Sequence, residues 1–302
     1  MTATPEKLTD ILDLERLEVD LFRGRSPHEQ QQRVFGGQVA AQSLVAAGRT
    51  VPADRPVHSL HSYFLRLGDP ESPIVYSVDR IRDGRSFTTR RVVAIQHGRA
   101  IYLLSASFHR PENGLQHQVP MPEVPDPEVL SPWSDQSAIG PRPPPWVPRR
   151  VVELRYVSDP PSVLGAQGGP QDSRRIVWMR APDRLPDDSL VHVCAVTYAS
   201  DMTLLDAVLL GHGLDWERDV TSGASLDHAM WFHGPFRADE WILYVQESPA
   251  ASDARGLAMG RIYRRDGRLV ASVVQEGLIR LASPSGEGQA PPPAVDSEPR
   301  ER

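Results

Sequence analysis

The stretch FGGQVAAQSLVAAG, residues 35–48, decides how the fold is read. Two glycines open it, and the rest are helix-compatible residues that are apolar on most sides. Such a helix has no wide polar face to show to water, so something must wrap it. Four strand-like runs follow: HSLHSYFLRL (58–67), PIVYSVDRIRDG (73–84), SFTTRRVVAIQHG (86–98) and RAIYLLSASFHR (99–110). The same order then returns. YASDMTLLDAVLLGHG (198–213) places Tyr198, Met202, Leu205 and Leu209 at three- and four-residue steps, which predicts a helix. Behind it come SLDHAMWFHG (225–234), EWILYVQESPAAS (240–252), RGLAMGRIYRRDG (255–267) and RLVASVVQEGLIR (268–280). RRIVWMRAP (174–182) is a strand candidate ahead of the second helix.

The two copies align at several points. Phe35 matches Tyr198, so Gln38 matches Asp201. Ser59-Leu60 matches Ser225-Leu226, and His97-Gly98-Arg99 matches Asp266-Gly267-Arg268. HGR and DGR both predict tight hairpin turns. Each half is therefore expected to be an antiparallel sheet that buries one face on a single long central helix. The fold class is α+β, with two such units fused in one chain as a double hotdog. The first unit covers 10–110 and the second 149–282. Between them, 111–148 holds eleven prolines, including PRPPPW at 141–146, and reads as a connection, since proline fixes φ and removes a donor. Residues 283–302 form a polar Pro/Gly tail expected to be disordered.

Composition excludes several function classes. The net charge of −6 argues against a general nucleic-acid or anionic-membrane partner. The single cysteine, Cys194, sits in the apolar run VHVCAV and reads as a small buried hydrophobe. No Cys/His spacing suits a metal. No apolar run nears the roughly 20 residues of a membrane span, and MTATPEKLTD lacks a signal-peptide core, so the expected location is cytoplasmic.

Long runs in both halves resemble the acyl-CoA thioesterase II, or TesB-like, family: VFGGQVAAQSL, HSLHSYFLRLGDPESPI, RDGRSFTTRRV, TYASDMTLL, SLDHAMWFH, EWILYVQESPAASDARG and GRLVASVVQEG. The resemblance implies a double hotdog that hydrolyses acyl-CoA to free acid and CoA without a metal or other cofactor. It also implies an Asp, Ser/Thr and Gln trio, which falls on Asp201, Ser225 and Gln275. The first half carries Gln38, Ser59 and Ala106 at those repeat positions, so one active site per chain is expected. The expected partner is the acyl-CoA substrate, and the chain is expected to self-associate as a dimer or tetramer.

The residue types fit that chemistry. Asp201 has mostly apolar helical neighbours, where a carboxylate is costly unless bonded or used. A thioester needs a positioned water, a base and donors for the oxyanion. Asp201 accepts, Gln275 donates and accepts, and Ser225 does either. Covalent attack by Asp201 through an anhydride is the alternative chemistry. Strand parity puts Gln275 on the apolar face with Leu269, Ala271, Val273 and Ile279. It puts Ser225 with Asp227, Ala229 and Trp231, and His228 on the opposite face, which disfavours a local Ser225–His228 pair.

Other positions stay open. Gly36 and Gly37 suit either a tight turn before a helix or close approach of backbone to the CoA moiety. His58 suits a core position or one near the substrate. Arg85, Arg90, Arg91, Arg255 and Arg261 suit a solvated sheet face or CoA phosphates. Asp206 has neighbours as apolar as those of Asp201 and no assigned role. Two other functions compete. A hotdog enoyl-CoA hydratase would need an Asp/His pair, and no histidine follows Asp201 before His212. A non-catalytic acyl-CoA binder would be expected to lose one of the trio.

Overall fold

The computed structural model describes residues 7–27, 33–132, 151–157 and 174–282. PRPPPW and the tail from 283 onward lie outside the described residues. The first half runs α1 (Leu8–Leu12), β1 (Glu15–Glu18), β2 (Leu21–Gly24), α2 (Gly36–Gly48), β3 (Val57–Phe64), β4 (Ile74–Asp83), β5 (Phe87–Gln96) and β6 (Arg99–His109). The second runs β7 (Glu153–Tyr156), β8 (Arg175–Arg180), α3 (Ser189–Ser200), α4 (Asp206–Leu210), α5 (Trp216–Asp219), β9 (Val220–Ser225), β10 (Asp227–Phe232), β11 (Ile242–Ser252), β12 (Arg255–Arg264) and β13 (Leu269–Leu281).

The strands form one antiparallel sheet in the order β1-β2-β4-β5-β6-β3-β10-β13-β12-β11-β8-β7, with β9 also on β13. Each half repeats the other about the β3–β10 seam. There Met230 pairs with Leu60 and His228 with Ser62, and the His61 and Trp231 rings meet edge to face. The two expected sheets are thus joined edge to edge. α2 is buried from Gly37 to Ala47, as its apolar circumference requires. Alternating burial along β5 shows one face on this core and one toward water.

The second helix departs from expectation. The expected helix over 198–213 is instead α3 over Ser189–Ser200, five turn residues and the short α4. Asp188 starts α3 early: its carboxylate accepts the Leu190 N–H and satisfies a first-turn donor. Asp201 therefore sits at the end of a helix rather than inside one.

A second departure lies in the strand carrying Ser225. β9 and β10 both pair with β13, Ser225 opposite Gly277 and Ala229 opposite Val274. Three residues, 226–228, stand against two, 275 and 276, so the strand bulges there and its parity flips. His228 and Met230 both turn fully inward as a result. The expectation that His228 faces away from Ser225 fails for this reason. On β13 Ala271, Val273, Gln275 and Ile279 are buried on the expected face, whereas Leu269, expected with them, packs against the outer cluster of Trp178, Trp241 and Tyr263 because the ladder with β12 slips between Ala271 and Leu269.

The first part of the proline-rich segment packs on the second half. Pro125 O accepts the Trp178 indole N–H at 3.0 Å, and Pro127 O accepts from Arg155 at 2.7 Å. Met121, Val124 and Leu130 cover a cluster of Trp178, Trp241, Leu243, Val245 and Tyr263 on the sheet's outer side.

Turn chemistry differs between hairpins. His97 and Gly98 both take positive φ between β5 and β6, the expected tight turn. Between β11 and β12 the same task falls to Asp253 (φ 50°) and Ala254 (φ 58°). Alanine there crowds its own Cβ. Ala254→Gly should raise stability by about 0.5–1 kcal/mol, net of glycine's greater unfolded entropy. The check is the urea midpoint at unchanged m-value, and an unchanged or lower midpoint would contradict it.

Candidate active site

Helix α2 points its first turn at the last turn of α3. The two helices approach closely because Gly36 and Gly37 carry no side chain. A Cβ on Gly37 would run into the backbone carbonyl of Tyr198, and one on Gly36 would lie 2.7 Å from Asp201 Oδ2 and 2.8 Å from the Phe64 ring. Phe35 seals the contact edge-on against Tyr198, with ring centroids 5.0 Å apart. The residue just past α3 is Asp201, half-buried between one helix end of each polarity. The α3 carboxyl end disfavours its charge; the α2 amino end favours it, and the Gly37 N–H bonds to its carboxylate.

Two strands bring the partners. Gln275 reaches in from β13 and donates Nε2–H to Asp201 Oδ1 at 2.7 Å and to Ser225 Oγ at 2.7 Å. Ser225, at the end of β9 before the bulge, donates to Asp201 Oδ1 at 3.2 Å. Asp201, Ser225 and Gln275, separated by up to 74 positions in the chain, thus form one closed triangle. Gln275 is fully buried; Asp201 and Ser225 are only partly so, and the triangle has an open side.

Enclosure pushes the Asp201 carboxyl above the ordinary aspartate value, against the opposing pull of His228 and of hydrogen bonds from Gln275, Ser225 and Gly37. Arg33, in the loop entering α2, donates to Gly223 O at 2.9 Å and lies near enough for its guanidinium and Asp201 to act on each other. A carboxylate with raised proton affinity, flanked by a hydroxyl and an amide, can take a proton from water and hold that water's direction.

Two residues of this site escaped the sequence reading. Gln275 Oε1 lies 2.9 Å from His228 Nδ1, and His228 Nε2 lies 2.9 Å from Ser200 Oγ. Counting strand parity from apolar Met230 rather than from Ser225 would have put His228 inside. The glycines are where a site was expected, though what they make room for is Tyr198 and Asp201.

The structure takes His58 elsewhere. Its Nε2 is 2.8 Å from Ser107 Oγ, and its ring lies edge-on to Phe87 and His109. Four of the candidate arginines are paired: Arg90 with Asp83, Arg91 with Asp79, Arg255 with Glu276 and Arg261 with Glu247. Asp206 also finds its explanation. Its Oδ1 accepts the Trp216 indole N–H at 2.7 Å, and Oδ2 lies 3.2 Å from Nε of buried Arg175. It ties α4 to β8 and α5. Among the described residues no three His, Cys, Asp or Glu side chains gather as a metal site, and no helix is long and apolar enough to cross a membrane.

Comparison with known proteins agrees over both halves. The family described as "Acyl-CoA thioesterase" matches residues 149–278, and "Acyl-CoA thioesterase N-terminal domain" matches 25–109. Acyl-coenzyme A thioesterase 8 of Homo sapiens is 41% identical over 91% of this chain and 89% of its own length. Acyl-CoA thioesterase 2 of Haemophilus influenzae is 37% identical over 91% of this chain and 97% of its own. The crystal structure of acyl-CoA thioesterase II TesB2 from Mycobacterium marinum is 45% identical, covers 91% of this chain and 99% of its own, and superposes with a TM-score of 0.76.

The two glycines should separate by substitution. Gly37→Ala meets rigid backbone and should cost stability, on the order of 1–3 kcal/mol for overpacking. Gly36→Ala meets the movable Asp201 and Phe64 side chains, so it should spare much of that stability and displace the carboxylate. Thermal melts beside activity assays test this, and equal loss of melting temperature in both variants would contradict it.

Proposed function

This chain belongs to the acyl-CoA thioesterase family and is a thioester hydrolase, and we propose that the water it uses is held by Asp201, Ser225 and Gln275. We read the two halves as hotdog units, 10–110 and 149–282, fused into a double hotdog with one active site. The substrate is acyl-CoA, and the products are free acid and CoA.

The observation that carries this reading is the triangle of 2.7–3.2 Å contacts drawn from a helix end and two strands. A water joining it donates one hydrogen to Asp201 and accepts from Ser225 or Gln275. Its remaining lone pair then faces the thioester carbonyl carbon. Asp201 takes the proton as the O–C bond forms and the carbonyl electrons move to oxygen. The tetrahedral species collapses, the C–S bond breaks, and the leaving thiolate takes the proton that Asp201 received from water, which restores the carboxylate. The first turn of α2, already against Asp201, is the helix start we assign to stabilising the oxyanion.

Thiol release from acyl-CoA, followed with DTNB, tests the assignment. Asp201→Asn should lower kcat by ~10³-fold, and Ser225→Ala and Gln275→Ala by roughly 10²-fold each. Retention of full activity in folded Asp201→Asn would overturn the trio. Single turnover in oxygen-18 water should label the released acid and leave Asp201 unlabelled; label in Asp201 would establish the anhydride route instead.

The pH dependence has a definite sign. Activity requires the Asp201 carboxylate, so the acid limb of kcat/KM should lie above the ordinary aspartate value of 3.8. The folded state also holds that proton more tightly than the unfolded chain. Its contribution to stability therefore falls as pH rises from 3.8 through the displaced value. A limb at or below 3.8, read from a pH–rate profile, would assign the base elsewhere.

A further inference from the structure

A glutamine amide has two ends of nearly equal shape and opposite hydrogen-bonding character. For Gln275 to serve Asp201, its Nε2 must face the carboxylate. Turned over, Oε1 would meet a carboxylate oxygen, acceptor against acceptor. Something on the far side of the amide must oppose that rotation when substrate or water enters and the near-side bonds are exchanged.

That far side is occupied by one group. Gln275 Oε1 sits 2.9 Å from His228 Nδ1, and His228 is fully buried. A carbonyl oxygen only accepts, so Nδ1 carries the proton. The imidazole is held toward its neutral form by burial, against the opposing pull of Asp201, the Gln275 bond and Asp227. In the neutral ring Nε2 is then an acceptor. It lies 2.9 Å from Ser200 Oγ, whose single hydroxyl hydrogen is shared between this nitrogen and Thr197 O, also 2.9 Å away. The ring is fixed through its backbone as well: the His228 carbonyl accepts from Ser62 Oγ at 2.7 Å across the seam between the halves. The chain His228 → Gln275 → Asp201 has every donor facing an acceptor. Reversing the amide creates a clash at both ends, Nε2–H against Nδ1–H and Oε1 against the carboxylate.

We infer that His228 is a positioning residue for hydrolysis: its Nδ1–H, aimed at Gln275 Oε1, locks the amide with Nε2 toward Asp201 and Ser225. This rests on the trio reading above. His228 does not touch the reacting atoms, and its contribution appears only through Gln275.

Three variants read this out together. His228→Leu removes the donor and should lower kcat on the order of 10²-fold, the scale of a misplaced catalytic group, with little change in KM. His228→Asn puts an amide N–H close to where Nδ1–H was and should restore most of the loss. In a Gln275→Ala background, His228→Leu should cost almost nothing further, because there is no amide left to orient. A structural role alone would give the same loss in both backgrounds and no rescue by asparagine, and that result would overturn the inference. If Gln275→Ala by itself leaves activity intact, the trio reading fails instead, so the two failures are distinguishable. One measurement needs no variant. In wild-type protein with nitrogen-15-labelled histidine, the His228 signals should show Nδ1 protonated and Nε2 bare at neutral pH; the opposite tautomer would overturn the inference even if every variant failed to fold.

Discussion

The close crossing of α2 and α3 is the constraint on which the rest of the molecule depends. Only a residue without a side chain can stand at Gly37, because the Tyr198 carbonyl occupies that space. The crossing sets the amino end of one half's helix against the carboxyl end of the other's. Asp201 is placed where those ends meet, and it is tolerable there because Gly37, Ser225 and Gln275 all supply hydrogen bonds to it. Enclosure raises its proton affinity while the bonds keep the rise in check. The same balance suits the role we propose for it: a fully solvated aspartate would be a weaker base, and an unbonded buried one would stay protonated.

The sheet supplies the rest of the placement. Because β3 and β10 pair directly, the two halves share one hydrogen-bonded ladder rather than a side-chain interface. Gln275 is one strand in from that seam, and Ser225 reaches it only because of the bulge beside it. An unbulged strand would point either Ser225 or His228 inward, never both. The one extra residue between Ser225 and Ala229 therefore decides the composition of the site.

Much of this was legible in the sequence, for physical reasons that can be named. The order of one helix and four strands, twice, followed from the apolar circumference of residues 35–48 and from alternation between the hairpin glycines. Asp201, Ser225 and Gln275 came from resemblance, not from periodicity; the residues alone did not separate Asp201 from Asp206. Asp206 turned out to be held by Arg175 and Trp216, partners that only the fold brings near. The second helix begins earlier than apolar periodicity predicts because Asp188 caps it. Parity alone turns His228 outward because it assumes an unbroken strand, and the bulge between Ser225 and Ala229 leaves no mark in local composition. The packing of 118–130 on the outer sheet was illegible for a similar reason: proline-rich chain looks like a spacer until a Trp-lined surface is present to receive it.

The helix crossing has one more consequence, for how the two halves depend on each other. Gly36 and Gly37 lie in the first repeat, whereas Asp201, Ser225 and Gln275 lie in the second. A side chain at position 37 would push on the Tyr198 carbonyl and so on the helix end that holds Asp201, more than a hundred residues away. The first half lacks the acid, yet it governs where the acid stands through what it leaves out.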